Sequence, residues 1–210
     1  SIALMPVSMA LAAPVADAAT PFRDVPAGSY YADAVAWGHR AGITTGTSRS
    51  RFEPHRPVTR AELVTFLWRA KGEPRARSAR VADVPAGTWY AKAVSWAVQE
   101  GVTTLVGGTR RFEPHRTASR AEAVTFLWRT MESPKARRTP FRDLVGVAWA
   151  IPAISWAHAK GVTTGVGGSL SFDPHRPVSR ADALVFVWRA AGSPKPSSVQ
   201  PSGLLRDLLK

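Results

Sequence analysis

Apolar residues recur with the spacing of a helix in two segments of every stretch of roughly sixty residues. Gly42 follows the first helical segment, where a C-terminal cap needs a left-handed residue, and Gly101 and Gly161 are its counterparts. The next segment, RFEPHRPV, contains two prolines, which exclude a helix. The pattern therefore predicts helix, loop and helix. The apolar stripes of the first such pair comprise Tyr31, Ala34, Val35 and Trp37 on one helix and Val64, Leu67 and Trp68 on the other.

The pair recurs three times, because Arg60, Arg120 and Arg180 lie 60 residues apart along the chain. We assign the repeats to residues 21–74, 81–134 and 141–194, joined by short basic connectors. One helix pair cannot bury its apolar stripe, whereas three pairs around a pseudo-threefold axis can. The predicted fold is one all-α domain, a closed helical prism of three helix-loop-helix repeats.

Each second helix is predicted to begin with a hydroxyl cap and an acidic residue three positions later, the pattern of a capping box. Asp has a shorter side chain than Glu, so the third cap should be the weakest. The three pairs are Thr59 with Glu62, Ser119 with Glu122, and Ser179 with Asp182.

The net charge and the cysteine content exclude several classes of site and favour others. The chain has 210 residues, of which 28 are basic and 15 acidic, giving a net charge of +13. It has no cysteine, which excludes disulfides, thiolate metal sites and cysteine nucleophiles. A field this positive favours polyanionic partners, so nucleic acid and an anionic cell-wall polymer are both open.

The two ends differ from the repeats. Residues 1–20 hold an apolar stretch followed by Ala16, Asp17 and Ala18, which is typical of the end of a secretory signal peptide. An apolar leader without that role is the alternative. The stretch is too short to cross a bilayer. Residues 195–210 are predicted to form a tail that starts as a Pro/Ser linker and ends in a short amphipathic run.

Several motifs recur in the same order: F-x-D-V, Y-A-x-A-V-x-W, G-[IV]-T-T-G, F-x-P and V-T-R-A-E. In this order they resemble the S-layer homology domain, and the resemblance covers roughly Phe22 to Pro194. The resemblance implies a pseudo-trimer that attaches a secreted protein noncovalently to the bacterial cell wall. It also implies a ligand, an acidic secondary cell-wall polysaccharide that often carries pyruvate ketals, held between neighbouring repeats.

The candidate binding residues include Arg60, Arg120 and Arg180, each in the first turn of a helix. A cation there opposes the helix dipole, which calls for a compensating anion. Free amides at the helix start and a guanidinium fork would suit a carboxylate or phosphate. The alternative is an interhelix salt bridge, for example to Asp24, Asp83 or Asp143.

Tyr30, Trp89 and Trp149 precede the first helices, where their rings could stack on sugars or pack in the core. The resemblance adds an aspartate that matches Asp33 only, and a glycine that matches Gly46 and Gly165. Leu105 replaces that glycine in the middle repeat and is expected to occlude one groove. The grooves that use Arg60 and Arg180 should then dominate.

Three rival functions remain. His55, His115 and His175 could meet on a zinc ion at a threefold axis, or could hydrogen-bond loop backbone. Carboxylate pairs such as Glu53 with Glu62 could do acid–base work, but we see no nucleophile elbow, phosphate loop or H-E-x-x-H motif. Nonspecific nucleic-acid binding is the stronger rival, because aromatic residues are interleaved with the charge. We predict a secreted, noncatalytic wall-binding module without cofactor or metal.

Overall fold

The computed structural model describes residues 20–198. The signal-peptide prediction, apart from Thr20, and the predicted tail from residue 199 onward lie outside this part of the chain. The described residues form six α-helices and two short 3₁₀ turns, Ala148–Ala150 and Pro196–Ser198, with isolated bridges but no strand. The all-α prediction is confirmed. The helices are α1 (Ala32–Arg40), α2 (Arg60–Ala70), α3 (Ala91–Gln99), α4 (Arg120–Thr130), α5 (Ile151–Ala159) and α6 (Arg180–Ala190).

The second helix of each repeat begins at a hydroxyl cap. Thr59 Oγ1 accepts from the Glu62 amide at 3.2 Å, and the Glu62 carboxylate accepts from the Thr59 amide at 2.9 Å. Ser119 and Glu122 form the same reciprocal pair. Ser179 Oγ accepts from the Asp182 amide at 3.0 Å, but the return bond is not formed. The aspartate is one methylene shorter, so one amide loses its cap.

Packed helix pairs come from different repeats. Helix α3 packs against α2, α5 against α4, and α1 against α6, so the first helix of each repeat lies on the second helix of the preceding one. The three second helices also contact one another. The core therefore runs through all three repeats, with Trp37, Phe52, Phe112 and Phe172 among its largest fully buried side chains.

A closed ring of backbone hydrogen bonds joins the segments that precede the second helices. The Val58 amide donates to the Val178 carbonyl at 2.9 Å, the Val178 amide to Ala118 at 3.0 Å, and the Ala118 amide to Val58 at 3.0 Å. Each repeat supplies one donor and one acceptor. The contacts thus repeat with threefold symmetry, and no repeat can take its place in the ring without both others.

The connectors between repeats also pack on helices. The Ala79 amide donates to Ser95 Oγ on α3 at 3.1 Å, and the Thr139 amide donates to Ser155 Oγ on α5 at 3.2 Å. After the third repeat, the Pro196–Ser198 turn packs on α1, and Pro196 is buried. The start of the predicted tail therefore belongs to the folded domain.

Candidate functional site

The first-turn arginines are buried, with 2% exposure for Arg60 and Arg180 and 4% for Arg120. Arg180 reaches into the first repeat, where Nε donates to the Phe52 carbonyl at 2.8 Å and Nη1 to Glu62 Oε1 at 2.7 Å. Its guanidinium lies 4.9 Å from the Phe52 ring centre. Because each arginine contacts the next repeat around the ring, these residues hold the repeats together.

Arg60 repeats this arrangement with the Phe112 carbonyl and the Glu122 carboxylate. Arg120 does not. Its Nε donates to the Phe172 carbonyl at 2.9 Å, but among residues 20–198 no carboxylate lies within ion-pair distance of its terminal nitrogens. Asp182 holds the position of Glu62 and Glu122, and its side chain is too short to form the pair.

The helix-start amides are not free, contrary to the sequence-based expectation. The Arg60 amide donates to the Arg116 carbonyl at 2.9 Å, and the Ala61 amide donates to the Pro114 carbonyl at 3.0 Å. The other two helices repeat these bonds. Neighbouring loops therefore use the amides that an anion was expected to bind.

The proposed salt bridges from these arginines to Asp24, Asp83 and Asp143 are also not formed. Asp24 accepts from the Phe52 and Glu53 amides, each at 2.9 Å, and the other two aspartates make the equivalent bonds. They hold the loop whose Phe52 carbonyl receives Arg180. Glu62 and Glu122 are the carboxylates that pair with the buried arginines.

Two similar grooves lie beside the second helices of the first two repeats, and each encloses about 440 Å³. All three repeats contribute to each groove. Groove I is formed by Thr44–Thr47, by Glu62, Phe66 and Arg69 of α2, by Trp89 and by Arg180. Groove II is formed by Thr103–Gly107, by Glu122, Phe126 and Arg129 of α4, by Trp149 and by Arg60.

The residues that occupy the corresponding positions around α6 are Tyr30, Arg120, Arg176, Asp182 and Phe186. Here the Tyr30 hydroxyl donates to Asp182 Oδ1 at 2.7 Å. The Arg120 guanidinium lies 5.4 Å from the Phe186 ring centre. Burial and the bond to Asp182 raise the pKa of Tyr30, so the hydroxyl keeps its proton and continues to donate. The bond joins the loop before α1 to the first turn of α6.

The three predicted stacking residues are exposed rather than buried, at 61% for Tyr30, 60% for Trp89 and 52% for Trp149. Each ring lies beside a second helix of a different repeat. Asp33, in contrast, is exposed in the first turn of α1 and lines neither groove I nor groove II.

Gly46 lines groove I and has φ of 79°, and Gly165 has φ of 88°. A Cβ at Gly46 would lie 2.5 Å from the Phe22 ring and 2.5 Å from the Arg51 carbonyl oxygen. Leu105 has the same left-handed backbone, with φ of 63°. The repeat that carries Leu105 has Val81 where the others have Phe22 and Phe141, so the ring that meets the glycine is absent there.

The expectation that Leu105 occludes a groove is wrong. Leu105 lines groove II together with Arg60, and the groove keeps the same volume as groove I. The arrangement that differs is the one around α6. The tyrosine bond and the short Asp182 distinguish it, rather than a bulky residue at the glycine position.

Two further sets of arginines line the grooves and are not among the predicted site residues. Arg56 lies in groove I and donates to Glu62 at 2.6 Å, and Arg116 donates to Glu122 at 2.7 Å in groove II. Arg69 and Arg129 line the same grooves and donate to loop carbonyls, each at 3.3 Å. Both sets recur every 60 residues, so the period that singled out Arg60 could have found them.

The carboxylates of the grooves stay ionised. Burial alone would raise the pKa of Glu62, but the hydrogen bonds from Arg56 and the Thr59 amide and the charge of Arg180 lower it on balance. Glu122 is shifted downward for the equivalent reasons. Burial lowers the pKa of Arg60 and Arg180, which the charges of the glutamates partly oppose. Each groove thus holds three guanidiniums and one shared carboxylate on its second helix.

The histidines of the zinc hypothesis remain in separate repeats. His55 Nε2 lies 3.5 Å from the Tyr31 hydroxyl, His115 Nε2 lies 3.4 Å from the Tyr90 hydroxyl, and His175 Nε2 lies 3.5 Å from the Val145 carbonyl. In the part of the chain that the structure describes, no three metal-ligating side chains come together. No helix there is long and apolar enough to cross a membrane.

The fold is a closed ring of three helical repeats, and arginines and a tryptophan line grooves I and II. These features define a binding domain that is built from repeats. The model of the S-layer homology domain matches residues 21–64, 82–124 and 140–184, and the chain belongs to this family. Domains of the family anchor surface proteins to the bacterial cell wall and bind secondary cell-wall polymers. The predicted family is confirmed, and it places the chain among bacterial cell-surface proteins.

Its relatives include surface-layer proteins. The S-layer protein sap of Bacillus anthracis is 27% identical over 83% of this chain and 22% of its own length. A cell surface protein of Thermoanaerobacter kivui is 30% identical over 84% of this chain and 22% of its own length. An amylopullulanase of Thermoanaerobacterium thermosulfurigenes is 25% identical over 70% of this chain and 8% of its own length. The chain thus spans less than a quarter of the length of each of these relatives.

Proposed function

We propose that this domain anchors a secreted protein noncovalently to the cell wall by holding an acidic secondary cell-wall polysaccharide in grooves I and II. One observation carries the proposal. Each groove combines a buried arginine, further arginines and an exposed tryptophan around a cavity of about 440 Å³. That volume lies in the range of small-ligand sites. A pyruvylated polysaccharide would suit the grooves, because its ketal carboxylate offers the acidic group.

The groove residues match the parts of an acidic sugar. The exposed ring of Trp89 or Trp149 offers an apolar face to the C–H side of a sugar ring. Thr45, exposed in the groove I loop, offers a hydroxyl that can donate to or accept from a sugar hydroxyl. The guanidiniums of Arg69 and Arg129 can receive a carboxylate with two parallel hydrogen bonds.

We assign the domain no catalytic activity of its own. In groove I the Glu62 carboxylate is already engaged by Arg56, Arg180 and the Thr59 amide. Its lowered pKa makes it a poor proton donor at neutral pH. Glu122 has the equivalent partners in groove II. Neither groove needs a cofactor for the proposed binding.

The test is co-sedimentation of the full chain with purified, protein-free bacterial cell walls, before and after acid extraction of the accessory polysaccharide. Binding should disappear after extraction. The double variant Arg69→Gln with Arg129→Gln should lose most of its wall binding, because one guanidinium is removed from each groove. The matched control is Arg75→Gln with Arg77→Gln, which removes the same charge from an exposed connector.

Nonspecific polyanion binding is the competing outcome, since the net charge of +13 attracts any polyanion. In that case the groove and connector variants would lose wall binding equally, added DNA would compete, and binding would fall steeply with salt. Wall binding that survives acid extraction would also reject the proposal. Retention by the connector variant, with loss by the groove variant, supports it.

A further inference from the structure

We propose that a groove between the second connector and α5 docks an extended acidic peptide segment of a partner protein, one that presents a proline or aliphatic side chain. The groove encloses about 550 Å³. We call it the connector groove, and its apolar lining comprises Trp128, Pro134, Ala136, Ile151 and Pro152. It shares no lining residue with groove I or groove II, so the proposal goes beyond polysaccharide anchoring.

The same joint between a connector and a first helix occurs three times in the domain, and the three differ in how well they are covered. Ala76, Ala136 and Pro196 each lie two residues after the proline that ends a repeat. Pro196 is buried and packs on α1, and Ala76 is half-buried, whereas Ala136 is exposed. A proline of this chain therefore covers the joint on α1, while the equivalent surface of α5 is open.

Helix α5 also presents a more apolar surface at this joint than the other first helices do. Ile151 and Pro152 begin α5, where α3 begins with Ala91 and Lys92. Ile151 is half-buried and Pro152 is exposed. The open joint thus has the apolar pair of side chains, which gains most from being covered.

The first connector has an attachment that the second lacks. The Arg77 amide of the first connector donates to Gln99 Oε1 on α3 at 3.1 Å. In the second connector Arg137 takes the place of Arg77, and Ala159 takes the place of Gln99. Alanine has no side-chain acceptor, so the middle of the second connector is not held to its helix.

The second connector is held on either side of this point. The Trp128 indole donates to the Pro134 carbonyl at 2.9 Å, and the Thr139 amide donates to Ser155 Oγ at 3.2 Å. Within residues 20–198, the four residues between these attachments, 135–138, form no hydrogen bond. An extended peptide can pair with such free main-chain groups while its side chains enter a neighbouring groove, which favours a peptide over a lipid.

The charge of the connector groove selects an acidic partner. Residues 133–142 include four basic side chains and no acidic one. Lys135 and Arg138 line the groove and are exposed. Carboxylates on either side of the apolar side chain would complement them. Residues 199–210 of this chain carry two basic side chains and one acidic, so they lack this complementarity.

The experiment titrates the ¹⁵N-labelled full chain with three blocked hexapeptides and follows its amide and indole NMR signals. The probe is acetyl-EEPIEE-amide, and the controls are EEGSEE, which lacks the apolar pair, and KKPIKK, which reverses the charge. The probe should shift the signals of the Trp128 indole and of residues 135–139. The two controls should bind at least about tenfold more weakly, because each lacks one of the two required features.

Two pairs of variants test the groove residues. Ile151→Ala with Pro152→Lys gives α5 the residues that begin α3, and it should weaken probe binding about tenfold although it adds a cation. Leu170→Ala, which removes an exposed apolar side chain elsewhere, is its control. Lys135→Gln with Arg138→Gln should weaken binding about three- to tenfold, and Arg75→Gln with Arg77→Gln by less than about twofold. Wall sedimentation of the α5 variant should be unchanged, which separates this proposal from polysaccharide anchoring.

Several results would overturn the proposal. Equal binding of the probe and either control peptide would mean that charge or apolar contact alone suffices, and an α5 variant that binds like the wild type would remove the groove. A dimer that the α5 variant abolishes would assign the groove to a second copy of the chain. Vesicles of anionic phospholipid that bind in place of the probe would assign it to a lipid surface. Tighter probe binding by Leu204→Ser with Leu208→Ser would assign it to the chain's own residues 199–210.

Discussion

Arg180 and Glu62 are 118 residues apart in the chain, yet Arg180 Nη1 donates to Glu62 Oε1 at 2.7 Å. The contact joins the last repeat to the first. Glu62 also completes the capping box of α2 and binds Arg56. One carboxylate thus links the start of a helix, the closure of the ring and the interior of groove I.

Glu62→Gln should destabilise the domain by about 3 kcal/mol, because it leaves a buried guanidinium without its counterion and weakens a helix cap. Urea unfolding of the variant and the wild type measures the difference. Glu53→Gln is the matched control, since Glu53 is 39% exposed and within residues 20–198 forms an ion pair with Arg56 alone. It should cost less than about 1 kcal/mol. Equal losses in the two variants would mean that the Arg180 contact adds nothing.

Acid should destabilise the domain. Backbone and arginine hydrogen bonds outweigh burial and lower the folded pKa of five carboxyl groups, those of Asp24, Glu62, Asp83, Glu122 and Asp143. A lowered folded pKa gives stability above the unfolded value, near 3.8 for Asp and 4.5 for Glu, and that stability is lost as the pH falls through the folded value.

The unfolding free energy should therefore change little from these groups between pH 7 and about 5.5, and should fall progressively at lower pH. The double variant Glu62→Gln with Glu122→Gln should show a shallower fall, as measured by urea unfolding at a series of pH values. The same slope in wild type and double variant would contradict the assignment of these glutamates.

Trp89→Ala and Trp149→Ala should each weaken binding to the purified polysaccharide about three- to tenfold, because each removes a ring from one groove. Stability should change little, since the two rings are 60% and 52% exposed. Leu170→Ala removes a similarly exposed apolar side chain, 49% exposed, that lines neither groove, and binding should be retained. Isothermal titration calorimetry checks all three variants.

Gly46→Ala should cost at least about 2 kcal/mol, because the new Cβ would meet the Phe22 ring and the Arg51 carbonyl oxygen at 2.5 Å in a left-handed backbone. Gly42→Ala is the control, since Gly42 has φ of 71° but nothing within 4 Å of a Cβ. It should cost about 1 kcal/mol from backbone strain alone. Urea unfolding compares the two, and similar costs would show that the close contact is relieved by movement of the loop.

Much of the fold could be predicted from local patterns. The helical spacing of apolar residues, the hydroxyl caps and the turn glycines each depend on a few neighbouring residues. The six helices and the weak cap at Ser179 could therefore be predicted from the sequence. The partners of Arg60 and Arg180 are not, since they depend on which repeat lies beside which. The sequence alone suggests that each arginine acts with its own repeat, whereas the structure places Arg180 in the groove of Gly46 and Arg60 in the groove of Leu105.

The closed ring of bonds through Val58, Ala118 and Val178 fixes the number of repeats. An open solenoid leaves a donor and an acceptor unused at its ends, so it can lengthen by one unit without changing its joints. In this domain the third repeat already uses the donor and the acceptor that an open array would leave at its ends. A chain that gained or lost a repeat would have to break these hydrogen bonds, so the number of grooves cannot change without rebuilding the ring, whereas the residues of one groove can change alone.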